Sequence, residues 1–303
     1  MQANEGMGMR FKLKGLTVAA LTLTLGLTSA ACGDSDSGGG ENDKNITIGV
    51  VSGWAEGEAA TALWKRLLTD KGYKVDVKTL DTGPLYAGMS KGDVDLFLDS
   101  WLPGTHEDYW KQYGDKLEKV GSWYDSAPLT IAVPEYSPLQ SLEDLKGKGG
   151  QYGGKIVGIE KSSGLYRVSQ EKMLPAYGLQ DEFKVTTSST AAMLTELDKA
   201  VSAKKDIVVT LWRPHWAYAK YPIRDLKDPK GAMGQPDTIF TVARKDFGSD
   251  QPEVSGWLKK FKMDDKQLGS LEDLMENKYK GKPEQAVDEW LKTNQSYATS
   301  LTS

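Results

Sequence analysis

One cysteine and two histidines are a sparse supply, in 303 residues, of the side chains that most often bind metals or form disulfides. The single Cys32 excludes an internal disulfide framework and a cysteine-rich metal site. His106 and His215 lie far apart, neither paired at metal-ligand spacing, which argues against a zinc centre. Signatures of catalysis are missing too: there is no His-Glu-x-x-His, no Gly-x-Ser-x-Gly and no P-loop. Positive charge is not in excess. Lys and Arg number 38 against 42 Asp and Glu, the net charge is -4, and no basic stripe points to nucleic acid. The apolar run Leu16 to Leu27 has the length of a signal-peptide core and is too short to span a bilayer.

That run is flanked as a targeting segment would be. Arg10, Lys12 and Lys14 precede it, and Ser29, Ala30 and Ala31 follow it, immediately before Cys32. The pattern resembles a bacterial lipobox, with Ser29 where a large aliphatic residue is usual. It implies a signal peptide over residues 1–31 and lipidation of Cys32. Residues 33–45, rich in Gly, Ser, Asp and Asn, read as a flexible tether. The expected location is the extracytoplasmic face of the cell membrane, with the folded part beginning near Asn45.

What the chain does have is tryptophan, nine of them, and two stretches with one plan. Asp93 to His106 reads as a short buried strand that runs into Trp101, then Pro103 and His106. Asp206 to Trp216 repeats it, with Trp212, Pro214 and His215 after a strand. A tryptophan at the end of a strand is badly placed for sheet packing and well placed over the strand's carboxyl end, where open α/β sheets bind ligands. Trp54 follows another strand and its Ser52-Gly53 turn. Trp64, Trp110, Trp257 and Trp290 instead lie in helical stretches with apolar neighbours, as core residues do.

In order, the pattern predicts strands over 46–51, 75–80 and 93–101, with helices over 58–68 and 84–91 between them: a β-α-β-α-β start to a parallel sheet. A helix over 107–113 and a strand over 129–133 follow. The alternation restarts with a strand at 155–159, a helix at 166–177, strands at 183–185 and 207–211, and an amphipathic helix at 190–203. A strand over 238–243 leads to helices from Pro252 onward, whose lobe periodicity does not decide. The fold class expected is α/β with two similar lobes.

Aromatic faces at a cleft suit sugars or quaternary ammonium groups. A quaternary nitrogen has no N–H, so only the negative π-faces recognise it, at about 0.5 to 2 kcal/mol per ring. The turn Glu160 to Leu165 sits between strand and helix and presents backbone N–H groups suited to an anion. Asp95, Asp99 and Glu56 admit a rival reading as paired carboxylates of a surface carbohydrate hydrolase. Asp93 and Asp95 read better as solvated or capping residues of the strand.

Four motifs carry a resemblance over roughly 46–293: Asp99 to His106, Gly158 to Leu165, Ser188 to Leu197 and Trp212 to Trp216. The chain resembles the substrate-binding lipoproteins of ABC importers for glycine betaine, proline betaine, choline and related compatible solutes. The resemblance implies a two-lobed type II periplasmic-binding-protein fold. Lobe one would comprise residues 45–129 and 244–303; lobe two would comprise 130–243, including the hinge crossings. It implies an ammonium cage of Trp54, Trp101 and Trp212, and a carboxylate held by His106 and by the backbone amides of Gly164 and Leu165. Glu56 could match the acid that meets the ligand hydroxyl in choline-specific relatives, which keeps a choline or carnitine receptor as the alternative. His106 has an alternative as a cap on the helix after it. No enzyme activity, cofactor or metal is implied. The implied partners are the small ligand, a membrane permease and, through Cys32, the membrane itself, with the protein a monomer.

Overall fold

A computed structural model of the chain describes residues 44–303. The signal peptide, Cys32 and nearly all of the tether lie outside the described residues. Among the described residues ten strands form two five-stranded sheets. The first contains β1 (Asn45–Val50), β2 (Lys74–Thr79), β3 (Leu96–Leu102) and β4 (Leu117–Ala127). The second contains β5 (Leu129–Pro134), β6 (Lys155–Val157), β7 (Lys184–Thr186), β8 (Val209–Trp212) and β9 (Ile223–Asp225). The last strand, β10 (Asp237–Arg244), returns to the first sheet.

The two sheets share one plan. The first runs β2-β1-β3-β10-β4 and the second β7-β6-β8-β5-β9. In each, three neighbouring strands are parallel and the remaining pairings are antiparallel. The equivalent central strands are β3 and β8, and each carries one of the expected tryptophans at or near its carboxyl end. Burial explains why they read as apolar runs: every residue of both is buried, as central strands covered on both faces require.

The chain crosses from first sheet to second at Pro128, between β4 and β5. It crosses back before Asp237, so β10 pairs with β3 and β4. The strand over 238–243, expected as one of the two hinge crossings, pairs within the first sheet. The C-terminal helices also join the first lobe. Helix Pro283–Leu301 packs on helix Ala55–Asp70, with Lys65 Nζ 2.8 Å from Glu284 Oε1. Trp64 meets Phe261 edge-on at 5.5 Å.

Two strands escape the periodicity reading. β4 buries Leu117, Val120, Trp123 and Ala127, a spacing of three or four and not two. The cause is a series of register shifts against β10, each of which adds a residue and turns the next side chain. β9 is only three residues long. The third strand also starts later than expected, at Leu96. Asp95 just before it is not solvated: it accepts the Thr47 N–H at 2.7 Å and pairs with Arg244 at 2.7 Å. Asp93 is exposed.

Candidate functional site

The carboxyl ends of the parallel strands in the two sheets supply one small cavity. Its lining includes Trp54, Glu56, Trp101, Thr105 and His106 from the first lobe and Ser163, Gly164, Leu165 and Trp212 from the second. All seven ligand-contact residues expected from the sequence therefore meet at one place. About 20 Å³ remains there for the centre of a water-sized sphere, roughly the need of one water.

Each tryptophan is placed by its local chain. Trp54 precedes the first turn of helix Ala55–Asp70 and is 5 % exposed. Trp101 is held from its own strand: its indole N–H donates to Asp99 Oδ1 at 2.8 Å. Trp212 is held from the other lobe: its indole N–H donates to Glu56 Oε2 at 2.9 Å. The Trp54 indole N–H has no acceptor among the described residues. Pro103 and Pro214, which follow these rings, both have cis peptide bonds.

Two buried carboxyls back the rings. Burial pushes Glu56 up to about 8, against the Trp212 hydrogen bond that lowers it. Burial, and then the nearness of Glu56, holds Asp99 well above the usual carboxylate range. Glycine at position 57 lets the helix start lie on Asp99, since a Cβ there would fall 2.5 Å from Asp99 Oδ2. Asp99 is thus a buried carboxyl that holds Trp101, as Glu56 holds Trp212.

His106 is fully buried, and its side chain makes no cap bond to the helix that follows. Instead Nδ1 accepts the backbone N–H of Trp101 at 3.0 Å. That bond fixes the tautomer, because an accepting Nδ1 leaves the proton on Nε2. Burial, with Arg167 nearby, lowers the imidazole to about 3, so it is neutral at ordinary pH. Nε2 has no partner among the described residues, and His106 lines the cavity. The result is a neutral N–H donor without an acceptor.

Opposite lies the start of helix Gly164–Arg167. Ser163 caps it by accepting the Tyr166 N–H at 3.1 Å. Gly164 and Leu165 are its first two residues, whose N–H groups a helix cannot satisfy internally. Gly164 lies so close to Thr105 that a Cβ would overlap the Thr105 carbonyl oxygen. Arg167 Nη2 donates to the carbonyls of Gly104 at 3.0 Å and Thr105 at 3.4 Å, and its Nε pairs with Asp108. The Tyr109 hydroxyl donates to the Ser162 carbonyl at 2.8 Å. From β10, Asp237 accepts the N–H groups of Gly104 and Thr105 at 2.6 and 2.8 Å and holds the loop in place.

Sequence reasoning did not single out Thr105, Arg167 or Asp237. Each is an ordinary polar residue whose partner is distant in the chain, and no local pattern marks it. Among the described residues no group of His, Cys, Asp and Glu could hold a metal ion, and no helix is long and apolar enough to cross a membrane.

Residues 44–293 match the family described as the substrate binding domain of the ABC-type glycine betaine transport system. Over 158 residues the chain is 33% identical to GbuC, a glycine betaine/carnitine transport binding protein of Listeria monocytogenes. That match takes in 52% of this chain and 51% of GbuC, so the chain spans about half the length of this relative. Lactococcal OpuAC, solved closed and complexed with glycine betaine, superposes with a TM-score of 0.80 at 30% identity, over 86% of this chain and 100% of that one. The glycine/betaine/L-proline-binding protein ProX of Borrelia burgdorferi gives 0.79 at 28% identity, over the same shares. The chain belongs to the family of substrate-binding domains of ABC-type glycine betaine transport systems, with the α/β fold of type II periplasmic binding proteins.

Proposed function

We propose that this protein captures glycine betaine, or a close quaternary ammonium osmolyte, between its lobes and delivers it to the permease of an ABC importer. The ammonium head packs among Trp54, Trp101 and Trp212. The carboxylate meets His106 Nε2–H and the backbone N–H groups of Gly164 and Leu165. The observation that carries this reading is the unpartnered, neutral His106 donor on a cavity walled by three indoles. Three rings contribute a few kcal/mol, a useful part of the roughly 8 kcal/mol of a micromolar complex.

The three rings are almost fully buried between the lobes, so the lobes open to admit the ligand. Binding then favours the closed state, because the carboxylate contacts come from both lobes and form together only there. The protein is a receptor and not an enzyme. It works as a monomer on the extracytoplasmic face, tethered through lipidated Cys32. Membrane fractionation of cells carrying Cys32→Ala tests the anchor; retention at the parent level speaks against it.

A thermal-shift panel of osmolytes tests the ligand class, since a ligand that binds only the folded state raises its stability. Betaine is expected to give a larger shift than choline or carnitine. A panel in which none of the quaternary ammonium compounds shifts unfolding contradicts the proposal.

A further inference from the structure

We propose that Glu56 is a positioning residue that completes the cage across the two lobes: seated in the first lobe, its carboxyl holds the Trp212 ring of the second through the indole N–H. This wall of the cage is therefore set only when the lobes meet. The inference rests on the cage reading above.

The ground is a difference between rings that otherwise look alike. Trp101 is oriented from within its own strand, by Asp99 two residues earlier. Its setting does not depend on the other lobe. Trp212 finds no such acceptor at home. His215, its nearest aromatic neighbour there, meets it edge-on at 4.7 Å and offers its indole N–H nothing. The acceptor is Glu56, 156 residues away in sequence. Glu56 lies in the first turn of the helix that Trp54 precedes. One helix start thus carries one ring of the cage and the anchor of the ring from the opposite lobe.

The surroundings of Glu56 fit a holder of rings better than a member of an ion pair. It is 1 % exposed, and none of the ion pairs found among the described residues includes it. The acidic groups near it are Glu58, Asp99 and Glu272. Its strongest attractive contact is the Trp212 N–H. This assigns Glu56 to the ring and not to a ligand hydroxyl, the role the resemblance had suggested for it.

The experiment is calorimetric titration of glycine betaine on the acid side of neutrality, where burial, which pushes Glu56 up to about 8, keeps its carboxyl protonated and a neutral replacement changes little charge. Glu56→Ala removes the acceptor, and Trp212→Phe removes the donor while keeping a ring. Each is expected to weaken binding about tenfold, the worth of one hydrogen bond. Combining them should cost little more than either alone, as for two residues that act through one contact. Glu56→Gln keeps an oxygen for the N–H and should stay within about threefold of the parent. If Glu56→Ala does not fold by circular dichroism, Glu56→Met takes its place, with similar volume and no acceptor. Betaine affinity unchanged in the variant lacking the acceptor, or losses that multiply in the double variant, overturns the inference. A parent with no saturable betaine binding is a different failure: it removes the cage reading, and this inference with it.

Discussion

The imidazole of His106 lies nearly parallel to the indole of Trp54, with centroids 5.6 Å apart and planes 14° from parallel. One side chain of the proposed cage and one of the proposed carboxylate end are thereby stacked, and the stack helps fix where the free Nε2–H sits. Both betaine and choline present a trimethylammonium head, so the discrimination has to come from the other end. Replacing the carboxylate by a hydroxymethyl group loses at least one hydrogen bond to a charged acceptor, about 1.5 to 3 kcal/mol. Paired titrations should therefore show the parent preferring betaine by about tenfold or more. His106→Ala should lose much of that preference. Equal or tighter choline binding by the parent speaks for a choline receptor.

The three cage tryptophans should separate cleanly from a core one. Replacing Trp54, Trp101 or Trp212 by Ala should weaken betaine binding by about 1 to 3 kcal/mol, from lost cation–π attraction and packing. Trp290 is 2 % exposed, donates to Ser270 Oγ at 2.8 Å and packs edge-on against Tyr297. Trp290→Ala should cost about 3 to 5 kcal/mol of stability and leave affinity nearly unchanged in the folded fraction. Denaturant unfolding alongside calorimetry measures both quantities. Unchanged affinity in two of the three cage variants would sink the assignment.

Gly164→Ala should block closure and not folding. The added methyl meets Thr105 of the opposite lobe, whose carbonyl oxygen, carbonyl carbon and side-chain methyl are the three atoms nearest to it. The expected outcome is a protein with near-parent melting behaviour and betaine binding reduced at least tenfold, with small-angle scattering that stays open on adding ligand. Scattering that contracts as in the parent contradicts the close approach.

The pH dependence follows from burial. Between 4.5 and about 8 the folded chain keeps a proton on Glu56 that the unfolded chain has released. Stability therefore falls as pH rises through that window. His106 and His215, lowered to about 3 by burial, act the other way, but their effect is complete above 6.5. From pH 6.5 to about 8 the acids alone remain. Melting without betaine should then drop, and a cation in the cage should offset part of the drop by favouring the ionised carboxyl. The betaine-induced rise in Tm should grow with pH over this range. A rise that shrinks removes Glu56 from the neighbourhood of the ammonium group.

The parts of this site that could be read from sequence share one property: they sit at the end of a local pattern. Trp101 and Trp212 lie at or next to the end of a buried strand, and Gly164 opens a helix after a Ser-rich turn, so the neighbouring residues mark them. The parts that could not be read are set by long-range partners. Asp237 serves Gly104 and Thr105 from a strand that crosses back between lobes. Arg167 reaches the opposite lobe from an otherwise ordinary helix. β4 was hidden because its register shifts erase the alternation that marks a strand. The sheet of β10 is set in the same way: local periodicity identifies the strand and says nothing of which sheet it completes.

The central claim is that the cage recognises positive charge and the facing donors recognise a carboxylate. Titrating glycine betaine against tert-butylacetate, its isostere with carbon in place of the ammonium nitrogen, tests it most directly. Shape and carboxylate are kept and only the cation is removed. The account predicts saturable betaine binding and an isostere weaker by at least about tenfold, the cation–π share of three rings. Equal affinity for the two would contradict it, because the rings would then be recognising bulk and not charge.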